Sequence, residues 1–185
     1  MQTLGISDTT PRSDGRLKSL FWPSIQTGAD VDYLGSQGYW VCAVVALVAF
    51  VALLLVGNPM MAVTVLLFYY MSGVGVRERS RYAATMVFVI FVTGMVISGP
   101  TVISALLSAL LLSNLRATWI ASKWKPDSEE AVLPPRLGET WGDKFADRFP
   151  MWLWPRIRIA YYIFSAVLLV LTVLGVALLK AKRLG

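Results

Sequence analysis

The stretch that decides the fold runs from residue 38 to residue 121: GYWVCAVVALVAFVALLLVGNPMMAVTVLLFYYMSGVGVRERSRYAATMVFVIFVTGMVISGPTVISALLSALLLSNLRATWIA. It holds four apolar segments divided by three short punctuations. Gly57-Asn58-Pro59 and Ser98-Gly99-Pro100 are small and uncharged, whereas Arg77-Glu78-Arg79-Ser80-Arg81 is basic. Long apolar runs bounded by turn formers predict membrane-crossing helices. The reading is two transmembrane hairpins in tandem, with spans at 39–56, 59–76, 82–97 and 100–121. Proline suits the first turn of spans 2 and 4, where its missing N–H would be unpaired anyway. Gly73 and Gly75 read as a loosened end of span 2.

Upstream, residues 1–38 read as an N-terminal tail. Its first part is rich in Thr, Ser, Gly and Asp and carries no core. Leu17, Leu20 and Phe21 share one helical face, which predicts a short interfacial segment closed by Trp22-Pro23. Asp30 and Asp32 then fall in a polar linker. The apolar part of the chain begins too far from the start for a cleaved secretory signal to be read.

Downstream, 122–156 is a hydrophilic loop. Trp141, Phe145 and Phe149 recur every four residues, with Thr140 as a helix cap and Phe149-Pro150 as the stop. That pattern predicts an amphipathic helix lying in the headgroup plane. A fifth span, 157–179, follows, with a basic tail at 180–185. The fold class expected is an all-α membrane protein: two transmembrane hairpins plus a fifth transmembrane helix, with short amphipathic interfacial helices.

Composition supports this class. Of 185 residues, 56% are apolar and 15% charged, and the mean hydropathy is +0.62. Soluble domains run nearer about 45–50% apolar and about 25% charged. The formal charge is +6 and the isoelectric point about 9.7. The basic residues flank the apolar runs, so they set topology and meet anionic headgroups rather than nucleic acid.

Orientation follows from charge. With the N-terminus in the cytoplasm, Arg12, Arg16 and Lys18, the three arginines of 77–81 and the basic residues from Arg116 to Arg158 all lie inside. The two outer turns carry no charge, as the positive-inside bias requires. All seven tryptophans gather beside the same side. Span 5 breaks the pattern, because crossing places Lys180, Lys182 and Arg183 outside. Its length fits a full span; a re-entrant path or a tail docked on a partner are the other readings.

Chemistry is sparse. The chain has one cysteine, Cys42, and no histidine. That removes any intrachain disulfide, the commonest general base and the usual metal and haem ligand. No carboxylate lies deep in a span, which argues against proton or sodium coupling. No HExxH, GxSxG, Walker A or CxxC motif occurs. No cofactor and no enzyme activity are expected.

Two groups of residues stand out. One is a basic, Trp-rich cytoplasmic collar: Arg77, Arg79, Arg81, Arg116, Trp119, Trp124, Trp141, Trp152, Trp154, Arg156 and Arg158. It suits lipid headgroups and a protein partner, another membrane protein or a second copy. The other is the stripe Thr101, Ser104 and Ser108, either the lining of a polar path or a close-packed helix face, of which packing is the commoner use. The function read from these is a non-catalytic accessory or scaffold subunit of a membrane complex. A small oligomeric channel or transporter, and a membrane-shaping hairpin protein, are the alternatives.

Phe21-Trp22-Pro23-Ser24-Ile25, followed by Gln37-Gly38-Tyr39-Trp40, resembles a segment of small bacterial multi-pass membrane proteins of uncharacterised function. These carry an aromatic-x-Pro-Ser-Ile stretch and then Gln-Gly-aromatic-Trp at the first span. The resemblance covers the segment 21–40 and implies a bacterial cytoplasmic-membrane protein. It carries over no activity or site residue.

Overall fold

The computed structural model describes residues 21, 22, 25, 28–123 and 141–184, with only the backbone given at 28–29, 141–148, 176 and 178–184. Among the described residues all regular structure is helical: α1 (Gly28–Leu55), α2 (Pro59–Arg77), α3 (Arg81–Ser98), α4 (Val102–Ala121) and α5 (Trp141–Leu184). Each contains a stretch long and apolar enough to cross a membrane. The chain therefore has the character of an integral, multi-pass helical membrane protein.

The turns are built by local chemistry. At the end of α1, Gly57 takes φ 79°. Its N–H reaches Leu54 O at 2.9 Å, and the Asn58 N–H reaches Leu53 O at 3.0 Å. Those paired bonds close a helix around a left-handed residue. Asn58 then caps α2 by accepting from the Met61 N–H at 3.2 Å, with Pro59 at the first helical position. α4 starts later than its proline suggests. Thr101 is the cap, and it and Ser104 satisfy each other's backbone N–H groups in a capping box. Pro100 therefore precedes the helix instead of opening it.

The first four helices form a ring. α1 packs along α2 and α4, α3 packs along α2 and α4, and α5 lies against α2 and α3. The end bearing the α2–α3 turn is called the base here. Burial is concentrated towards it. On α1 the last buried apolar residue is Ala46, on α3 it is Ile90, and on α4 the first is Leu111. Beyond them Leu54, Leu55, Val96, Ile97, Val102 and Ile103 stand exposed.

Small residues permit this packing. In lipid there is no hydrophobic drive between helices, so close van der Waals approach has to hold them. A β-carbon on Gly73 would lie 2.9 Å from Cβ of Cys42 and 3.2 Å from the Tyr39 carbonyl oxygen. On Gly38 it would lie 2.6 Å from Nδ2 of Asn114, which donates to the Leu34 carbonyl at 2.6 Å. Gly73 and Gly75 are thus contact points inside a helix that continues to Arg77, not a loosened end.

Two further expectations are corrected. The first helix starts at Gly28, not at residue 39, so Asp30 and Asp32 lie in its opening turns rather than in a linker. An acid there suits the positive end of the helix dipole. Asp32 also has a partner across the bundle: Nη1 of Arg77 lies 2.7 Å from its Oδ1 and 2.8 Å from its backbone oxygen. Second, Pro150 does not end a helix. α5 runs unbroken for 44 residues with Pro150 and Pro155 inside it, about 66 Å at 1.5 Å per residue. Each proline removes one helical hydrogen bond, which makes this stretch the weakest part of α5. It is held from outside: Trp154 is 8% exposed and its ring lies against Gly75 and Ala83 of the bundle. The Thr140 cap expected for this helix lies outside the described residues.

Candidate functional site

The base is organised by the α2–α3 turn. Arg79 has φ 55°, a left-handed conformation where glycine is usual. Its N–H reaches Val76 O at 3.0 Å, and the Ser80 N–H reaches Gly75 O at 2.9 Å. An arginine thus holds a position that costs any side chain about 1–2 kcal/mol. Ser80 then caps α3 by accepting from the Ala83 N–H, and Arg81 opens that helix. The result presents Arg79 and Arg81 outward.

Arg77 goes the other way. Its side chain is 8% exposed and paired with Asp32, so it joins α1 to α2 and does not face the surroundings. Glu78 is half-buried beside it. Burial pushes its carboxyl up from the ordinary value, against the pull of the Arg77 and Arg79 guanidinium groups.

Three arginines lie over tryptophan rings. Arg81 stands 5.6 Å from the Trp119 centroid, Arg116 4.7 Å from Trp22, and Arg156 4.6 Å from Trp152. Such stacks contribute about 0.5–1 kcal/mol each when exposed. They also hold a guanidinium flat against an apolar surface. Arg156 donates in addition to the Trp152 carbonyl at 2.5 Å. Arg158 is exposed one residue beyond Ile157. Trp154 differs from its neighbours, being packed inside. Only the backbone of Trp141 is described, and Trp124 lies outside the described residues.

Behind the collar sits a hydroxyl and aromatic network whose pairings no local pattern marks. Tyr161 on α5 and Ser72 on α2 share a hydrogen bond of 2.8 Å. Tyr82 on α3 donates to the Tyr162 carbonyl at 3.2 Å, and Ser165 donates to the Tyr82 hydroxyl at 3.3 Å. The Tyr82 and Tyr162 rings meet edge-on at 4.6 Å. Tyr82 is the second residue of α3, so Tyr162 marks the level at which α5 passes the base. The only sequence signal for this network was the crowding of tyrosines beside the basic loop.

The Thr101, Ser104 and Ser108 hydroxyls are at the opposite end. Thr101 and Ser104 bond each other at 3.0 Å in the exposed cap. Ser108 donates to the Ser104 carbonyl at 2.8 Å and contacts Met95 sulfur at 3.6 Å. The three serve the start of α4 and its contact with α3. Among the described residues, no three Cys, Asp or Glu side chains come together as metal ligands would.

What the base offers chemically is fixed positive charge on aromatic surfaces, with a packed network behind it. No protein family model, curated protein or solved structure matches the chain.

Proposed function

We propose that the chain is a non-catalytic accessory or scaffold subunit of a bacterial membrane complex. In this reading it crosses the bilayer five times, as two hairpins and a fifth helix, with its N-terminus and base in the cytoplasm. The base is the surface by which it meets anionic headgroups and a partner protein. The observation that carries the reading is the set of three arginine–tryptophan stacks at one end of the bundle, opposite turns that are small and uncharged. Stacked arginines suit interfaces, because the guanidinium is weakly hydrated and keeps its donors aimed outward.

The test is affinity purification from native membranes in mild detergent, with mass spectrometry of what is retained. A partner should be retained by the wild type and lost in R116Q/R156Q, while both elute as folded particles. A lone monomer with no retained partner would overturn the reading. A reporter fused after Gly185 should report the outer side, since α5 is read as a full crossing.

A further inference from the structure

An open cleft of about 430 Å³ lies at the base, lined by Ser80, Arg81, Tyr82, Thr85, Trp119 and Tyr162. It draws on three helices: α3 supplies the floor, α4 the Trp119 wall and α5 the Tyr162 wall. We propose that this cleft binds one anionic phospholipid, with its phosphate on Arg81 and an acyl chain on the α3–α4 face above. The proposal rests on the base being a headgroup-level surface, as read above.

Charge comes first. Arg81 is the cleft's cation, no acid lines it, and among the described residues no carboxylate pairs with Arg81. The opening turn of α3 adds backbone N–H groups beside it, and an anion is favoured at such a terminus. A phosphodiester matches the guanidinium fork and the adjacent N–H groups together.

The walls come second. Trp119 stacks under Arg81, and its Nε1 approaches the Thr85 hydroxyl at 3.4 Å. Tyr82 and Tyr162 are fixed to each other by the bond to the Tyr162 carbonyl. These contacts set the cleft before any ligand arrives, which lowers the entropy lost on binding. Amphipathic rings of this kind belong at headgroup depth.

The third observation is what lies above. The candidate spans of α3 and α4 begin and end at Arg81 and Ala121, so the cleft is at the polar edge of the apolar zone. On α3, Val89 and Val96 continue the side of Arg81 and Thr85, and both are exposed. On α4, Leu112 lies two turns from Trp119 on the same side and is also exposed. A phosphate with no tail would leave that apolar strip unused, whereas a phospholipid covers both.

The test is native mass spectrometry of the purified full chain in detergent, titrated with phosphatidylglycerol. Wild type should hold one lipid about tenfold more tightly than R81Q, while K123Q, a base cation outside the cleft, stays within twofold. Phosphatidylcholine should bind wild type at least fivefold more weakly, and millimolar inorganic phosphate should displace nothing. Equal losses in R81Q and K123Q would overturn the proposal in favour of diffuse surface charge. Equal binding of the two lipids would overturn it in favour of apolar contact alone, and displacement by inorganic phosphate would show a free-anion site. If R81Q does not fold, phosphatidylglycerol carrying a photoreactive group near its phosphate decides the matter on the wild type. Labelling of the peptides containing 80–85 or Trp119 supports the site, and labelling elsewhere overturns it. None of these readouts depends on whether a partner protein is retained from native membranes.

Discussion

Gly75 lies directly beneath Trp154: a β-carbon added to the glycine would stand 2.5 Å from the indole Cη2, and 2.6 Å from Cβ of Ala83. α5 is joined to the bundle through this contact, so the contact predicts its own sensitivity. Gly75→Ala should lower stability by about 2 kcal/mol, as overpacking does, read as a lower melting temperature in detergent. Gly94→Ala and Gly175→Ala are the controls, because nothing lies within 4 Å of a β-carbon at either site. They should be neutral or slightly stabilising, since alanine is the better helix former. Three equal losses would mean that the close approach is not what matters.

The Arg77–Asp32 pair joins residues 45 positions apart. Removing either partner leaves the other charge in a largely buried place, which costs about 3–5 kcal/mol for a fully buried pair. With the two side chains 8% and 12% exposed, about 3 kcal/mol is expected for Arg77→Ala or Asp32→Ala. The double variant should be less damaged than the two single losses summed. Strict additivity in a double-mutant cycle would remove the pair from any account of how α1 is held.

Arg79→Gly should raise stability by up to about 1 kcal/mol, because glycine adopts the left-handed conformation without strain. The same change removes a charge from the base. If the melting temperature falls instead, the Arg79 side chain contributes more than its backbone costs.

Glu78 predicts a pH dependence. Its folded-state pKa is raised, chiefly by burial, above the ordinary value of about 4.3. The folded state therefore binds this proton more tightly than the unfolded state. The contribution is full below the ordinary value and is lost as pH rises through the raised one. Wild type should melt progressively lower as pH rises through that window. Glu78→Gln should flatten this part of the curve and exceed wild type at neutral pH. Identical pH profiles for the two would show that Glu78 is not the group responsible.

The punctuation of the chain is legible where a turn uses residues with one mechanical use. Gly57 supplies a positive φ, Asn58 a cap and Pro59 a first-turn residue without an N–H. The start of α1 was not legible. Asp30 and Asp32 look like linker residues until Arg77, far along the chain, is seen to face Asp32. Pro150 reads as a stop because an isolated helix would stop there; the contact of Trp154 with Gly75 and Ala83 is tertiary and leaves no mark in the local pattern. Gly73 and Gly75 read locally as a loosened helix end, whereas their role is to let Tyr39, Cys42 and Trp154 come close. The collar was legible as a composition. Its division into an inward Arg77, a packed Trp154 and three outward stacks is set by tertiary contacts.

The concentration of buried residues near the base has a consequence for how the molecule meets bilayers of different thickness. Near the base the helices are fixed to one another by glycine contacts, an ion pair and shared hydroxyls. Towards the far turns Val51, Leu55, Val96, Ile103, Val170 and Leu174 face outward, and lipid tails are their neighbours. A thinner or thicker membrane sets helix tilt at a modest energy per ångström. Here that adjustment falls on the portion of the bundle away from the base, which can spread or draw together while the base keeps its shape.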